Sequence, residues 1–113
     1  MSGNHSRNKG SRAELEVQQL LRDQLGVPAR RKLGAGRKDD IGDIDGLGPD
    51  TVIQVANWAD LSRCVREKLP DTETQRARAG AKFAALFCRR RGGEYVVVLT
   101  VDQWCLLWRE ATA

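Results

Sequence analysis

Three short apolar runs, VIQVA at 52–56, FAALFC at 83–88 and YVVVLT at 95–100, constrain this chain more than any other feature. Each is too short for a buried helix, carries β-branched or aromatic residues, and is bounded by Gly, Pro or charged positions. Such runs read as strands. The first contains an anomaly, because Gln54 puts an amide in the middle of it. A buried amide costs free energy unless it finds partners, so Gln54 either reaches solvent or meets something.

The remaining segments place these strands in an order. SRAELEVQQLLRDQLG (11–26) predicts a helix with Ser11 as N-cap, Glu14 at capping-box spacing, and Ala13, Val17, Leu20, Leu21 and Leu25 on one face. Gly26 supplies the stop. RRKLGAGRK (30–38) predicts a short basic strand running into a Gly-containing loop, IGDIDG (41–46) a second short strand, and LGPD a turn, which makes 41–56 a hairpin. Trp58, Leu61 and Val65 recur at helical spacing until Pro70. DTETQRARAG (71–80) then restarts a helix with Asp71 or Thr72 as cap, RRRGG is a turn, and VDQWCLLWRE a closing helix. The order α-β-β-β-α-β-β-α predicts an α/β or α+β domain with a sheet covered by helices. With 113 residues in all, a single domain over 11–113 is expected behind a flexible polar tail, residues 1–10.

Several function classes are excluded. No run approaches the ~20 apolar residues of a membrane span, and no signal-peptide core follows Met1. Cys64, Cys88 and Cys105 lack CxxC spacing and read as reduced, mostly buried thiols of a cytoplasmic protein. The only histidine, His5, lies in the tail, which argues against a zinc site or a Ser-His or Cys-His catalytic pair. Charge is strongly segregated: nine basic against three acidic residues over 1–38, three against nine over 39–73, and seven against three over 74–113. An acidic centre between basic flanks suits a metal site set in a polyanion-binding surface, although an uneven solvated surface would give the same count.

The acidic residues form a pattern. Glu14 lies about 60° from the centre of its helix's apolar stripe and Glu16 about 100° away on the other side, so Glu14 leans towards the sheet. A capping box alone would also justify Glu14. Strand alternation puts Asp43 and Asp45 on one face, and Gln54 and Ala56 on one face. Carboxylates at a strand end are the hard oxygen ligands that Mg²⁺ or Mn²⁺ prefers, and an acidic turn is the plainer reading.

Together, KGSRAELEVQQLL, GDIDG and VIQVAN resemble the PD-(D/E)XK nuclease superfamily, and within it the Holliday-junction resolvase-like branch of archaea and phages. The resemblance runs from about residue 9 to 110. It implies a restriction-endonuclease-like core, with a central mixed five-stranded sheet flanked by helices, and a metal-dependent, structure-selective endodeoxyribonuclease that hydrolyses phosphodiester bonds in branched DNA with Mg²⁺ or Mn²⁺. It assigns Glu14, Asp43 and Gln54, with the Val55 carbonyl, as metal ligands, and Glu14, Asp43, Gln54 and Ala56 as the catalytic positions. Gln54 stands in place of the strand glutamate, and Ala56 in place of the lysine that would orient water and stabilise charge on the phosphate. The second departure is the graver one, since loss of one such stabiliser costs on the order of 10²–10³ in rate. Ala56 therefore fits either an inactivating substitution or an impaired relative that only binds or assembles on DNA junctions.

Lys9, Arg12, Arg30, Arg31, Lys32, Arg37 and Lys38 precede the acidic centre, and Arg89, Arg90 and Arg91 crowd a turn. These are the candidate DNA contacts, of the phosphate kind that supplies affinity rather than sequence specificity. Trp104 and Trp108, four apart on the last helix, suit core packing or a dimer interface better than base stacking. A two-fold junction calls for a homodimer. A purely protein-binding domain is the third reading.

Overall fold

The computed structural model describes residues 2–32 and 42–113, the side chains of residues 2–8 excepted. Eight elements follow one another: α1 (Ser2–Leu25), β1 (Arg30–Arg31), β2 (Ile44–Asp45), β3 (Thr51–Ala56), α2 (Leu61–Ala79), β4 (Phe83–Arg89), β5 (Tyr95–Val98) and α3 (Val101–Ala111). The five strands form one mixed sheet in the order β1-β2-β3-β4-β5. β1, β2 and β3 run antiparallel, β3 and β4 parallel, and β4 and β5 antiparallel. The parallel pair is the hinge of the topology, because it needs the α2 crossover.

Alternation along β3 decides what lies on each face. Ile53 packs with Val17 and Leu21 of α1, Ile44 and Phe87, and Val55 adjoins that cluster. Ala56 packs with Cys64 of α2, Leu86 and Cys88. The sheet is thus covered by α1 on one side and α2 on the other. Cys64 and Cys88 lie 3.9 Å apart with both thiols free. Burial, and then the neighbouring sulfur, push Cys88 up to about 12, far from the thiolate state that makes a cysteine reactive.

Two expectations are corrected here. Helical backbone begins at Ser2, so Ser11 lies inside α1 rather than capping it, and the segment expected as a polar tail carries helix. The Ser11 hydroxyl accepts instead from Arg31 Nη2 at 3.4 Å. Likewise α2 does not break at Pro70 but runs through it from the Asp60 N-cap to Gly80. Proline removes one backbone donor from the helix and strains one turn. Packing against two buried strands outweighs that local loss, and Asp71 and Thr72 are freed from the capping role that the sequence suggested. The short basic strand expected at the start of 30–38 is β1, and the Gly-containing loop expected after it falls in residues 33–41, which lie outside the described residues.

Side chains finish the sheet where its ladders stop. The Asp43 carboxylate accepts from the Val55 N–H at 2.8 Å, just past the single β2–β3 rung at Ile44 and Ile53. At the other edge, Gln103 of α3 accepts from the Ala84 N–H at 2.8 Å and donates to the Lys82 carbonyl at 3.1 Å. This buried amide docks α3 against the start of β4. The outward side of α3 stays uncovered, with Val101 78%, Trp104 58% and Trp108 55% exposed. Packing within the chain therefore does not account for the two tryptophans. Among the described residues no helix is long and apolar enough to cross a membrane.

Candidate functional site

The residues singled out in the sequence do not meet as one constellation. Gln54 is 5% exposed and faces α2. Its Nε2 donates to Asp71 Oδ2 at 2.9 Å, and its Oε1 accepts from the Thr72 hydroxyl. The buried amide is thus answered by α2. Asp71 Oδ2 also accepts from Gln75 Nε2 at 3.3 Å and has the Lys68 ammonium at 3.9 Å. Glu14 stands on α1, on the opposite face, with Arg31 Nε 3.5 Å from its carboxylate. One oxygen of Asp43 is taken by the Val55 N–H. Asp43 and Val55 are therefore brought together, whereas Glu14 and Gln54 are separated by the sheet. Ala56 is 5% exposed in the apolar cluster of Cys64, Leu86 and Cys88.

This arrangement bears on the metal that the resemblance implies. The set Glu14, Asp43, Gln54 and Val55 does not fit a single Mg²⁺ or Mn²⁺ as it stands. Glu14 stands on α1 beside Arg31, whereas Gln54 is held from the other face by Asp71 and Thr72 of α2. No hydrolytic step through a metal follows from this geometry.

The basic residues separate more informatively. Arg30 and Arg31 form β1, where Arg31 serves Glu14 and Ser11, and Lys32 Nζ is 3.5 Å from Asp45. Arg37 and Lys38 fall outside the described residues. Lys9, Arg12, Arg89, Arg90 and Arg91, by contrast, converge where the parallel strands β3 and β4 end. There two adjoining hollows of about 210 and 190 Å³ share Lys9, Asn57 and Arg89. The first is completed by Arg12 and Glu16, the second by Trp58, Arg90 and Arg91. The carboxyl ends of parallel strands are where open α/β sheets commonly bind ligands. Arg90 pairs with Glu94 at 2.8 Å and Arg89 with Glu16 at 3.1 Å. Five cations against two carboxylates leave a surplus of three positive charges on a concave surface.

Sequence reasoning passed over the residue that organises this end. Glu16 accepts from the Tyr95 hydroxyl at 2.6 Å and from Arg89 Nε at 3.1 Å. Its carboxyl is held below the usual range, first by the Tyr95 hydrogen bond and then, against the opposing effect of burial, by Arg89. Tyr95 is raised, chiefly by burial and then by Glu16. The register carried a signal, because Arg89 and Tyr95 are cross-strand partners on β4 and β5. The helical angle of Glu16 could not reveal that α1 overhangs that strand end.

Comparison with protein-family models, with curated proteins and with solved structures finds no match to this chain. The functional reading therefore rests on the chain's own residues.

Proposed function

We propose that this chain is a branched-DNA-binding protein of the Holliday-junction-resolvase type, built on a restriction-endonuclease-like core, with its own hydrolytic centre impaired at Ala56. The observation that carries the reading is the concave cluster of Lys9, Arg12 and Arg89–Arg91 at the carboxyl ends of β3 and β4. A surplus of cations in a hollow attracts phosphates and releases their counterions, with or without a metal. The motif order GDIDG then VIQVAN supports the nuclease-type ancestry. The uncovered α3 face, with Val101, Trp104 and Trp108, supports a homodimer to match the two-fold symmetry of a junction.

A labelled four-way junction titrated in EDTA is expected to bind two chains and to lose affinity steeply as salt rises. Three or more phosphate contacts per chain would give a log–log slope of about −3 or steeper. A flat salt response would remove the polyanion reading.

Metal-dependent cleavage is the second reading, supported by the Val55 N–H holding the Asp43 carboxylate against β3, beside the residue whose carbonyl the resemblance makes a ligand. Mn²⁺ is its test, with the Ala56→Lys variant compared against the parent chain on the same junction. Cutting by the variant supports this reading, and failure of a variant whose thermal unfolding shows it folded to cut any branched or linear DNA ends it.

A further inference from the structure

Among the cations at the strand ends, Arg89 is held in place by its neighbours. Its Nε–H donates to Glu16 Oε1 at 3.1 Å, and Glu16 is in turn held by the Tyr95 hydroxyl at 2.6 Å. On the far side, a Cβ added to Gly93 would come within 3.1 Å of Arg89 Nη2, so the guanidinium is packed against the hairpin turn. The contact with Glu16 uses the inner N–H of the fork. Arg89 lines both hollows, and the contact with Glu16 leaves its terminal nitrogens, the pair that makes bidentate contacts to phosphate, out of that ion pair. Lys9 lines the same two hollows and Arg91 the second of them.

We infer that Arg89 is the central phosphate contact of this protein, that the two hollows take successive phosphates of one DNA strand, and that Glu16 and Tyr95 are its positioning residues. Lys9 and Arg12 would serve the first phosphate, Arg90 and Arg91 the second, and Arg89 both. Immobilised this way, the fork gives up little side-chain entropy on binding, which is where much of a flexible arginine's contact energy is lost. The inference rests on the DNA-binding reading and assigns it a place in the fold.

The roles of Glu16 and of plain charge oppose each other, and this makes the inference sharp. Glu16→Gln removes a negative charge beside the site, so simple electrostatics predicts tighter binding. Positioning predicts weaker binding, because a neutral amide at position 16 no longer holds the guanidinium as an ion pair. The experiment is fluorescence anisotropy of a labelled oligonucleotide, with the parent chain and the variants Arg89→Gln, Arg89→Lys, Glu16→Gln, Glu16→Asp and Tyr95→Phe, each over a range of salt. Arg89→Gln is expected to bind about tenfold more weakly and to flatten the log–log salt slope by about 0.7–0.9, the value of one phosphate. Arg89→Lys should keep the slope and still lose several-fold in affinity, because the charge stays but the fork does not. Glu16→Gln and Tyr95→Phe should weaken binding several-fold with the slope unchanged or steeper, and Glu16→Asp should restore part of the loss. Unfolding of every variant would be followed alongside, and Arg89→Lys keeps the test open should any other variant fold poorly. Tighter binding by Glu16→Gln, or an unchanged slope for Arg89→Gln, would overturn the inference while leaving DNA binding by the parent chain intact. Failure of the parent chain to bind would count against the broader reading instead.

Discussion

Replacing Gly46 with alanine is expected to destabilise the fold by more than about 3 kcal/mol, the largest effect of any single glycine substitution here. Gly46 closes the GDIDG segment with φ +100°, and a Cβ built on it would stand 2.2 Å from the Pro28 carbonyl oxygen and 2.7 Å from its carbon. Both atoms are backbone, so neither can swing aside. The strain of positive φ on an L-residue comes in addition, at about 1–2 kcal/mol. Gly48 provides the control, because it has φ +90° but meets nothing within 4 Å. Gly48→Ala should cost only the backbone strain, and urea unfolding of the two variants separates close approach from conformation. If both lost the same stability, the approach of residues 28–29 to the β2 hairpin would be wrong. The second glycine of GDIDG thus has a reason in the fold itself, independent of any chemistry by its neighbouring carboxylates.

The second large effect concerns the network under α2. Gln54→Glu should cost about 2–4 kcal/mol, since it exchanges the Nε2 donor 2.9 Å from Asp71 Oδ2 for a second carboxylate in a buried place. Ala56→Lys alone should also destabilise, by about 3 kcal/mol, because it places an ammonium among Cys64, Leu86 and Cys88. The double variant should lose less than the sum, by at least about 1 kcal/mol, because the new ammonium lies on the same face as the new carboxylate and Asp71. Strict additivity in the double-mutant cycle would mean that positions 54 and 56 do not share one environment. In this view glutamine and alanine are a matched pair. The neutral amide satisfies Asp71 and Thr72, and the methyl leaves the neighbouring pocket apolar.

How far the sequence could be read follows from what periodicity contains. The five strands and the element order were legible because β4 and β5 are short apolar runs between turn residues, and because the α1 stripe of Ala13, Val17 and Leu21 is helical in period. Alternation also shows that Gln54 and Ala56 share a face. It cannot show which of two helices covers that face. The resemblance sets Gln54 beside Glu14 and Asp43, whereas the fold sets it against α2. Pro70 misleads for a related reason: a local rule about proline cannot weigh the packing of a whole helix on β3 and β4. Spacing makes Asp71 and Thr72 a cap, yet their partner Gln54 lies 17 and 18 residues away. Asn57 and Arg89 come together only through the parallel register that sets Ala56 beside Cys88. That pairing depends on a crossover, which no local pattern specifies.

The central claim is that the cationic hollow at the ends of β3 and β4 binds branched DNA without help from a metal. Its most direct measurement is a competition titration in EDTA at near-physiological salt. A fluorescent four-way junction is displaced by unlabelled junction or by linear duplex of equal length. The account predicts that unlabelled junction competes at least about tenfold better than duplex, a difference of about 1.4 kcal/mol. Equal competition by the two DNAs, or no binding until Mg²⁺ or Mn²⁺ is added, would contradict it.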